Sequence, residues 1–416
     1  MTAICGLFYE QIKMAMKQTQ TKMFDFSDMG LDFCVGSKNL FPDRFKKMLS
    51  LGYNVQTVSS VAVTGNQVTL SYGGTHGYVA DRVLKVNAPE LLSINSGEFV
   101  IDSVTENTVT MTIYGAPASI AGNFTTKVAS LGYDLVYEQA NIHIYKFKAL
   151  DESDLYLRLC FQTIAAHRNS ISPCVGKSYD PDTGIITDTN AIAENGTKTS
   201  PQTGFKWDFT WQSNSTANNY SYSLGYATYG KGLIVGSSYH LLVLSNYYSE
   251  GGWCAIVGFF PVATFNYDVL SSKVCLIGLW SGDTANGLNG GFIQLRGYIG
   301  NTEVSFDFRS PNSETILYPQ AINSFLPLDE FNTTTCKPID IYHRGSRQYL
   351  GHAVGGIYIA KYAKTNAPAI SKDTLPLPTY DIDLKNKCFV HAITAESSNP
   401  AFAVFFAVPV EEIKIA

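Results

Sequence analysis

The stretch SINSGEFVIDSVTENTVTMTI, residues 93–113, decides the fold. Phe99, Ile101 and Ser103 fall on one face of an extended chain, and Val100, Asp102 and Val104 on the other. Thr105, Glu106 and Asn107 interrupt the alternation, and Thr108 to Ile113 resumes it. β-Branched residues at period two, broken by turn formers, predict two strands and a turn. A hairpin alone is marginal in water, so this one must belong to a larger sheet.

Its neighbours supply that sheet. VQTVSSVAVTGNQVTLSY (residues 55–72) is two alternating runs that meet at Gly65-Asn66, a pair suited to a tight hairpin turn. GYVADRVLKV follows. Five or six short strands at this spacing predict a small β-barrel or sandwich over residues 51–128. Upstream, residues 1–50 read as a helical N-terminal segment. In FPDRFKKMLSLG, Phe41, Phe45, Met48 and Leu49 recur at helical spacing, with Pro42 near the start and Gly52 just past the end. Residues 7–17 predict a second short helix.

Residues 129–416 read as a larger antiparallel β-sandwich. SLGYNV (50–55) recurs as SLGYDL (130–135), which marks two module entrances. YEQANIHIYKF and DLYLRLCFQT alternate as strands, and residues 164–204 form a polar excursion. Beyond it lie YHLLVLSNYY, WCAIVGFF, KVCLIGLW, GFIQLRGYIG, GGIYIAKYA, KCFVHAI and AFAVFFAV, separated by Gly, Asn and Ser clusters. No long amphipathic pattern interrupts them, which argues against parallel βαβ units. The fold class is therefore all-β with a short helical N-terminal segment. FKWDFTWQ carries the cleanest alternation. Phe205, Trp207, Phe209 and Trp211 should enter a core or a subunit contact, with Lys206, Asp208 and Gln212 facing water or a polar seam.

Composition narrows the function. Charged residues are 16% of the 416, and Tyr and Phe number 25 and 24, a balance suited to large buried interfaces and homo-oligomers. A net charge of −5 with no basic run argues against nucleic-acid binding. No run of about 20 apolar residues argues for a membrane span, and the first residues lack the pattern of a secretory signal. Eight scattered cysteines without C-x-x-C read as buried thiols made in a reducing cytoplasm.

Catalytic motifs are not apparent. Gly176-Lys177-Ser178 lacks the glycine a P-loop needs five residues earlier, where Ile171 stands. No two histidines lie within four residues of each other, so zinc spacing is absent. Asp180, Asp182 and Asp188 offer hard oxygens for calcium, but Gly184 is misplaced for an EF-hand loop and the simpler reading is an Asx turn. Asp381 and Asp383 would sit about 7 Å apart on one strand face, a pairing that any polar strand offers by chance. His76 and His343 read as turn histidines. No catalytic residue and no cofactor are predicted. NSTANNYSYSLGYATYG (214–230) has the composition of a recognition loop, which makes Tyr220, Tyr222, Tyr226 and Tyr229 the interface candidates.

The run VTLSYGGTHGYVADRVLKV…GEFVIDSVTENTVTMTI resembles the N-terminal region of a family of tailed-bacteriophage virion structural proteins. The matching positions are His76, Gly77, Tyr78, Val79, Gly97, Glu98, Val104, Thr105, Asn107 and Thr108. KVASLGY…IYKF…LYLRL and the order WDFTW…SSYHLLV…CAIVGFF are similar to its later segments. The likeness is clearest over about residues 40–160. Past YLR the family continues with acidic turn residues, whereas this chain reads YLRLCFQT. The resemblance implies a non-enzymatic structural component of a virion, in the tail or baseplate, with a neck collar or capsid decoration as the alternative and a receptor- or glycan-binding tail module as a third. It implies synthesis in the bacterial host cytoplasm and residence in the virion. The implied partners are other virion proteins, copies of the chain itself and host surface glycan.

Overall fold

The structure, a computed structural model, describes residues 21–201, 203–210, 214–248, 253–267, 270, 273–281, 294–306, 335–361, 367–380, 387–394 and 403–410. The short helix expected at 7–17, Trp211, Gln212 and the Asp381/Asp383 pair lie outside these residues. Strands account for 47% and helix for 13%, so sheets carry the architecture.

The first described element is a strand, β1 (Lys22–Asp25), which pairs antiparallel with β14 (Gly232–Ser237). Four residues of the segment expected to be helical are thus a strand. Four residues are too few to show a period, and β1 is held by burial of Met23 and Phe24. Helix begins later, as a 3-10 turn at Lys38–Leu40, α1 (Phe41–Lys46) and a π turn at Lys47–Leu51. Phe41, Phe45, Met48 and Leu49 are buried, as their spacing predicts.

The opening stretch then forms a barrel. Its strands are β2 (Tyr53–Thr64), β3 (Gln67–Tyr72), β4 (Val83–Val86), β5 (Glu98–Val100), β6 (Ser103–Val104), β7 (Thr108–Thr112) and β8 (Thr125–Val128). The pairing order is β5-β4-β8-β2-β3-β7-β6. β5 and β6 stand at its two ends, yet only two residues separate them in the chain. At those residues the Ile101 N–H donates to Arg82 O and the Asp102 N–H to Thr110 O, both at 2.9 Å. One continuous run thus bonds β4 on one side and β7 on the other, and the sheet closes on itself. Closure removes the free edges that a lone hairpin would present. Phe99, Ile101, Val109, Met111 and Ile113 are buried inside, while Val104 is exposed. Gly65 and Asn66 make the two-residue turn between β2 and β3.

The remaining strands are β9 (Asp134–Gln139), β10 (Ile142–Lys148), β11 (Asp154–Phe161), β12 (Ser170–Gly176), β13 (Gly204–Asp208), β15 (His240–Tyr248), β16 (Trp253–Thr264), β17 (Val274–Ser281), β18 (Gln294–Ile299), β19 (Thr302–Phe306), β20 (Thr335–Lys337), β21 (Asp340–His343), β22 (Tyr349–Ala353), β23 (Tyr358–Lys361), β24 (Leu377–Tyr380), β25 (Lys387–Thr394) and β26 (Ala403–Pro409). Fourteen strands form one sheet in the order β1-β14-β15-β16-β22-β21-β19-β18-β17-β13-β12-β11-β10-β9. β16 and β17 also pair directly, which closes β16-β22-β21-β19-β18-β17 into a six-strand ring. A five-stranded sheet, β20-β23-β26-β25-β24, bonds to the large one through His391 Nε2 on Ser245 O at 3.0 Å and the Cys254 N–H on Thr394 Oγ1 at 3.0 Å. Every pairing among the described residues is antiparallel, as the absence of long helices predicts.

The SLGY echo has a geometric counterpart. Each copy leads into a strand, and the copies lie side by side. Ser130 Oγ donates to Ser50 O at 2.8 Å, and the Leu131 and Tyr133 N–H groups donate to Met48 O and Leu49 O. Gly52 and Gly132 have φ of 75° and 86°, a conformation glycine adopts without steric cost.

Candidate functional site

His76, Tyr78, Thr105 and Thr108 meet at one corner of the first barrel. His76 is buried there. Its Nδ1 accepts the Tyr78 N–H at 2.9 Å, and its Nε2 lies 3.0 and 3.1 Å from the carbonyl oxygens of Thr105 and Thr108. An Nδ1 that accepts and an Nε2–H that donates define one neutral tautomer. Thr105 Oγ1 in turn accepts the Thr108 N–H at 3.1 Å. The histidine of HGY therefore ties down the Thr105–Thr108 turn between β6 and β7. Tyr78 and Tyr72 share Thr126 Oγ1 at 2.9 and 3.0 Å across the barrel. His76→Ala should lower stability by about 1–3 kcal/mol, because the Tyr78 N–H and the Thr105 carbonyl lose their side-chain partner. Chemical denaturation of the variant measures this. His343 plays the same part in another turn, where its Nδ1 accepts the Ser346 N–H at 3.0 Å.

The aspartates of the polar excursion shape their own turns. Asp180 accepts the Asp182 N–H at 2.9 Å and the Thr183 hydroxyl at 2.7 Å. Asp188 accepts the N–H groups of Lys177 and Asn190 at 2.8 and 2.9 Å. These are Asx turns. Among the described residues no group of three or more acidic, histidine or cysteine side chains is placed to hold a metal ion. The excursion is folded rather than open. The buried Arg158 donates to the carbonyls of Gly184, Asn195 and Lys198, and the buried Lys38 to those of Ile164, Ala165 and His167.

The Tyr-rich segment is a correction. It is not a loop but a 3-10 turn at Ser215–Asn219 followed by α2 (Tyr222–Tyr229). Asn214 and Ser221, which resembled loop residues, cap the two elements by accepting the N–H groups of Thr216 and Leu224. Tyr229 is buried against Gly36, and Tyr220 O accepts the Ser37 hydroxyl at 2.6 Å. The Tyr222 N–H donates to Asp32 at 3.0 Å. The Tyr226 hydroxyl donates to Asp373 at 2.6 Å, with the Lys372 ammonium 4.7 Å from its ring centre. The four tyrosines thus tie the N-terminal segment and the 372–373 loop to the large sheet.

β13 takes the second of its two expected arrangements, with a polar seam in place of water. Phe205, Trp207 and Phe209 are buried as expected, but Lys206, Asp208 and Thr210 are buried too. β13 lies between β12 and β17 in the middle of a sheet covered on both faces, so neither side of the alternation meets water. The polar side is a seam inside the protein. Arg168 Nη2 and Lys206 Nζ lie 3.4 and 3.8 Å from Asp208 Oδ2.

Three further histidines are buried between elements. Burial pushes His391 down to about 4 and His240 to about 3. Burial also takes His143 to about 4, against an opposing pull from Glu138. In the unfolded chain these rings protonate near 6.5, so the unfolded state binds more protons between that pH and about 4. Stability should therefore fall as pH drops from 7 to 5, a window in which carboxylates stay ionised in both states. Urea melts across that window measure the slope, and a flat line contradicts it. Cys34, Cys160, Cys174, Cys254, Cys275 and Cys388 are buried.

Sequence reasoning missed one exposed cluster. Phe265, Tyr267 and Tyr349 are 51%, 48% and 38% exposed, and Tyr342 lies beside them. They form a row, with ring centres 6.3 Å apart for Tyr267–Phe265, 6.0 Å for Phe265–Tyr349 and 5.6 Å for Tyr349–Tyr342. The signal was present as aromatics flanking turns, in ATFNY (263–267) and SRQYLGH (346–352). No family model matches the chain, and comparison with curated proteins gives no match.

Proposed function

We propose that the chain is a non-enzymatic structural component of a tailed-bacteriophage virion, sited in the tail or baseplate and acting through assembly contacts with other virion proteins and with copies of itself. One observation carries this reading. The buried ionisable side chains act as internal braces between segments far apart in the chain. Lys38 reaches residues 164–167, Arg82 grips Asp28, Arg158 gathers residues 184–198, and Arg168 faces Asp208. The motif that resembles the virion family is part of that bracing, through His76 and the Thr105–Thr108 turn. A chain whose rare charges brace its own interior suits a scaffold.

The test is the particle itself. Mass spectrometry of purified virions should find the protein at a copy number that matches a symmetric ring or sleeve, and a map of the particle should place it in the tail or baseplate. Virions that lack the protein would overturn the reading. Density at the neck or on the head surface would replace it with the collar or decoration role. Sedimentation of the isolated protein should show a homo-oligomer, or a monomer that assembles when mixed with tail proteins.

A further inference from the structure

We propose that the row of Tyr267, Phe265, Tyr349 and Tyr342 is a platform for an oligosaccharide. Four observations converge. First, the row is rigid. Tyr349 opens β22 and pairs in register with Tyr342 of β21, and the Phe265 N–H donates to Leu350 O at 3.0 Å. Each ring leans on the next at 70–81°, or 72° for Tyr267 on Phe265. Edge-to-face packing fixes the rings without covering them. Tyr342 and Tyr349 stand on strands of the closed six-strand ring and Phe265 follows β16 directly, so the platform costs little conformational entropy on binding.

Second, the size selects the occupant. Aromatic side chains bury roughly 150–250 Å² each, so three rings about half exposed offer on the order of 300 Å². A stable protein partner needs about 800 Å² on each side. The exposed row fits two or three pyranose rings and falls short of a subunit contact.

Third, the chemistry is that of a sugar. The apolar C–H face of a pyranose packs on an aromatic ring, while its hydroxyls need donors and acceptors at the rim. Tyr349 Oη and His352 Nδ1 lie 3.3 Å apart and supply both. Fourth, Arg344 is paired with Glu303, while Arg347 in the same turn is exposed and can donate to hydroxyls at the rim. The centre-to-centre spacing of the rings, near 6 Å, suits successive sugars of one chain. The platform stands apart from the Tyr-rich helix, and its ligand does not depend on where in a particle the chain resides.

The test uses the full chain with cellotetraose and triacetylchitotriose as probes. Saturation-transfer NMR and calorimetry should detect millimolar or tighter binding of at least one probe to the wild type. Phe265→Ala and Tyr349→Ala should each weaken it by roughly tenfold or more, while Tyr226→Phe should leave it unchanged. Tyr349→Phe should retain the stacking and lose only part of the affinity. Thermal melts of all four variants should coincide with the wild type within a degree or two, which separates lost binding from lost folding. No binding of either probe overturns the platform, and so does undiminished binding by both alanine variants. A change in sedimentation for Phe265→Ala would instead assign the row to contact between copies. Failure of the virion test leaves these outcomes untouched, so the two readings fall separately.

Discussion

Replacing Trp207 by alanine should destabilise the protein by about 3–5 kcal/mol. The indole is fully buried in β13, and its Nε1–H donates to Ile277 O in β17 at 2.9 Å. Truncation removes the largest side chain in this layer and orphans a buried carbonyl. The cavity would open where Phe205, Trp207 and Phe209 join the inner core to the Phe41–Phe45 pair of α1, whose ring centres lie 4.9 and 6.5 Å from Phe209. Equilibrium denaturation of the variant measures the loss. A melting temperature close to wild type would mean that the aromatic stripe is an open platform, contrary to its burial. Lys206→Ala, which the alternation alone would place near zero, should now cost more than 1 kcal/mol, since the lysine is buried beside Asp208.

That contrast shows how far the sequence could be read. Period-two alternation located β2, β3, β7, β10, β11 and β13 because each buries at least one face, and the pattern is a record of burial. It could not tell a half-buried strand from one covered on both sides. In β13 the polar residues are as buried as the aromatic ones, and only the strand order explains why. Closure of the barrel was likewise out of reach. The break at Ile101–Asp102 looks like continuous alternation, yet there the run exchanges one neighbour for another. β1 was missed because four residues carry no period. The Tyr-rich helix was missed because its capping residues, Asn214 and Ser221, have loop composition, and capping is a matter of position rather than content.

The candidate sites were less legible for a related reason. Ionisable residues were weighed by spacing along the chain, whereas their partners come from distant segments. His76 has no visible partner in sequence, yet it bonds residues about 30 positions away. The exposed row of Phe265, Tyr267, Tyr342 and Tyr349 draws on two turns more than 80 residues apart in number, brought together only by the pairing of β16 with β22.

Asp28→Ala should be the other severe loss, at about 3–5 kcal/mol. Asp28 is buried in the N-terminal segment and takes four donors. Arg82 Nε and Nη2 approach at 2.7 and 2.8 Å, the Tyr53 hydroxyl at 2.7 Å and the Asp25 N–H at 3.1 Å. Burial opposes the charge on Arg82, but the bonds to Asp28 outweigh it and hold its pKa above the usual range. Burial, reinforced by Asp28, holds the Tyr53 hydroxyl well above its ordinary value. Removing the carboxylate leaves a buried guanidinium without the group it is hydrogen-bonded to, which is the costly way to break such a pair. Replacing both partners by apolar residues of similar volume, as in Asp28→Leu with Arg82→Met, should recover much of the loss, because the charge and its desolvation leave together. The order of stabilities then follows: wild type at or near the double variant, and both above Asp28→Ala. The consequence should also be local. Asp28 joins the segment after β1 to the barrel, so hydrogen exchange at residues 25–33 should accelerate in Asp28→Ala before the large sheet loses protection. A single variant within 1 kcal/mol of wild type, or a double variant worse than the sum of the singles, would show that packing of Phe26 and Phe33, stacked at 4.1 Å, holds this junction without the ion pair.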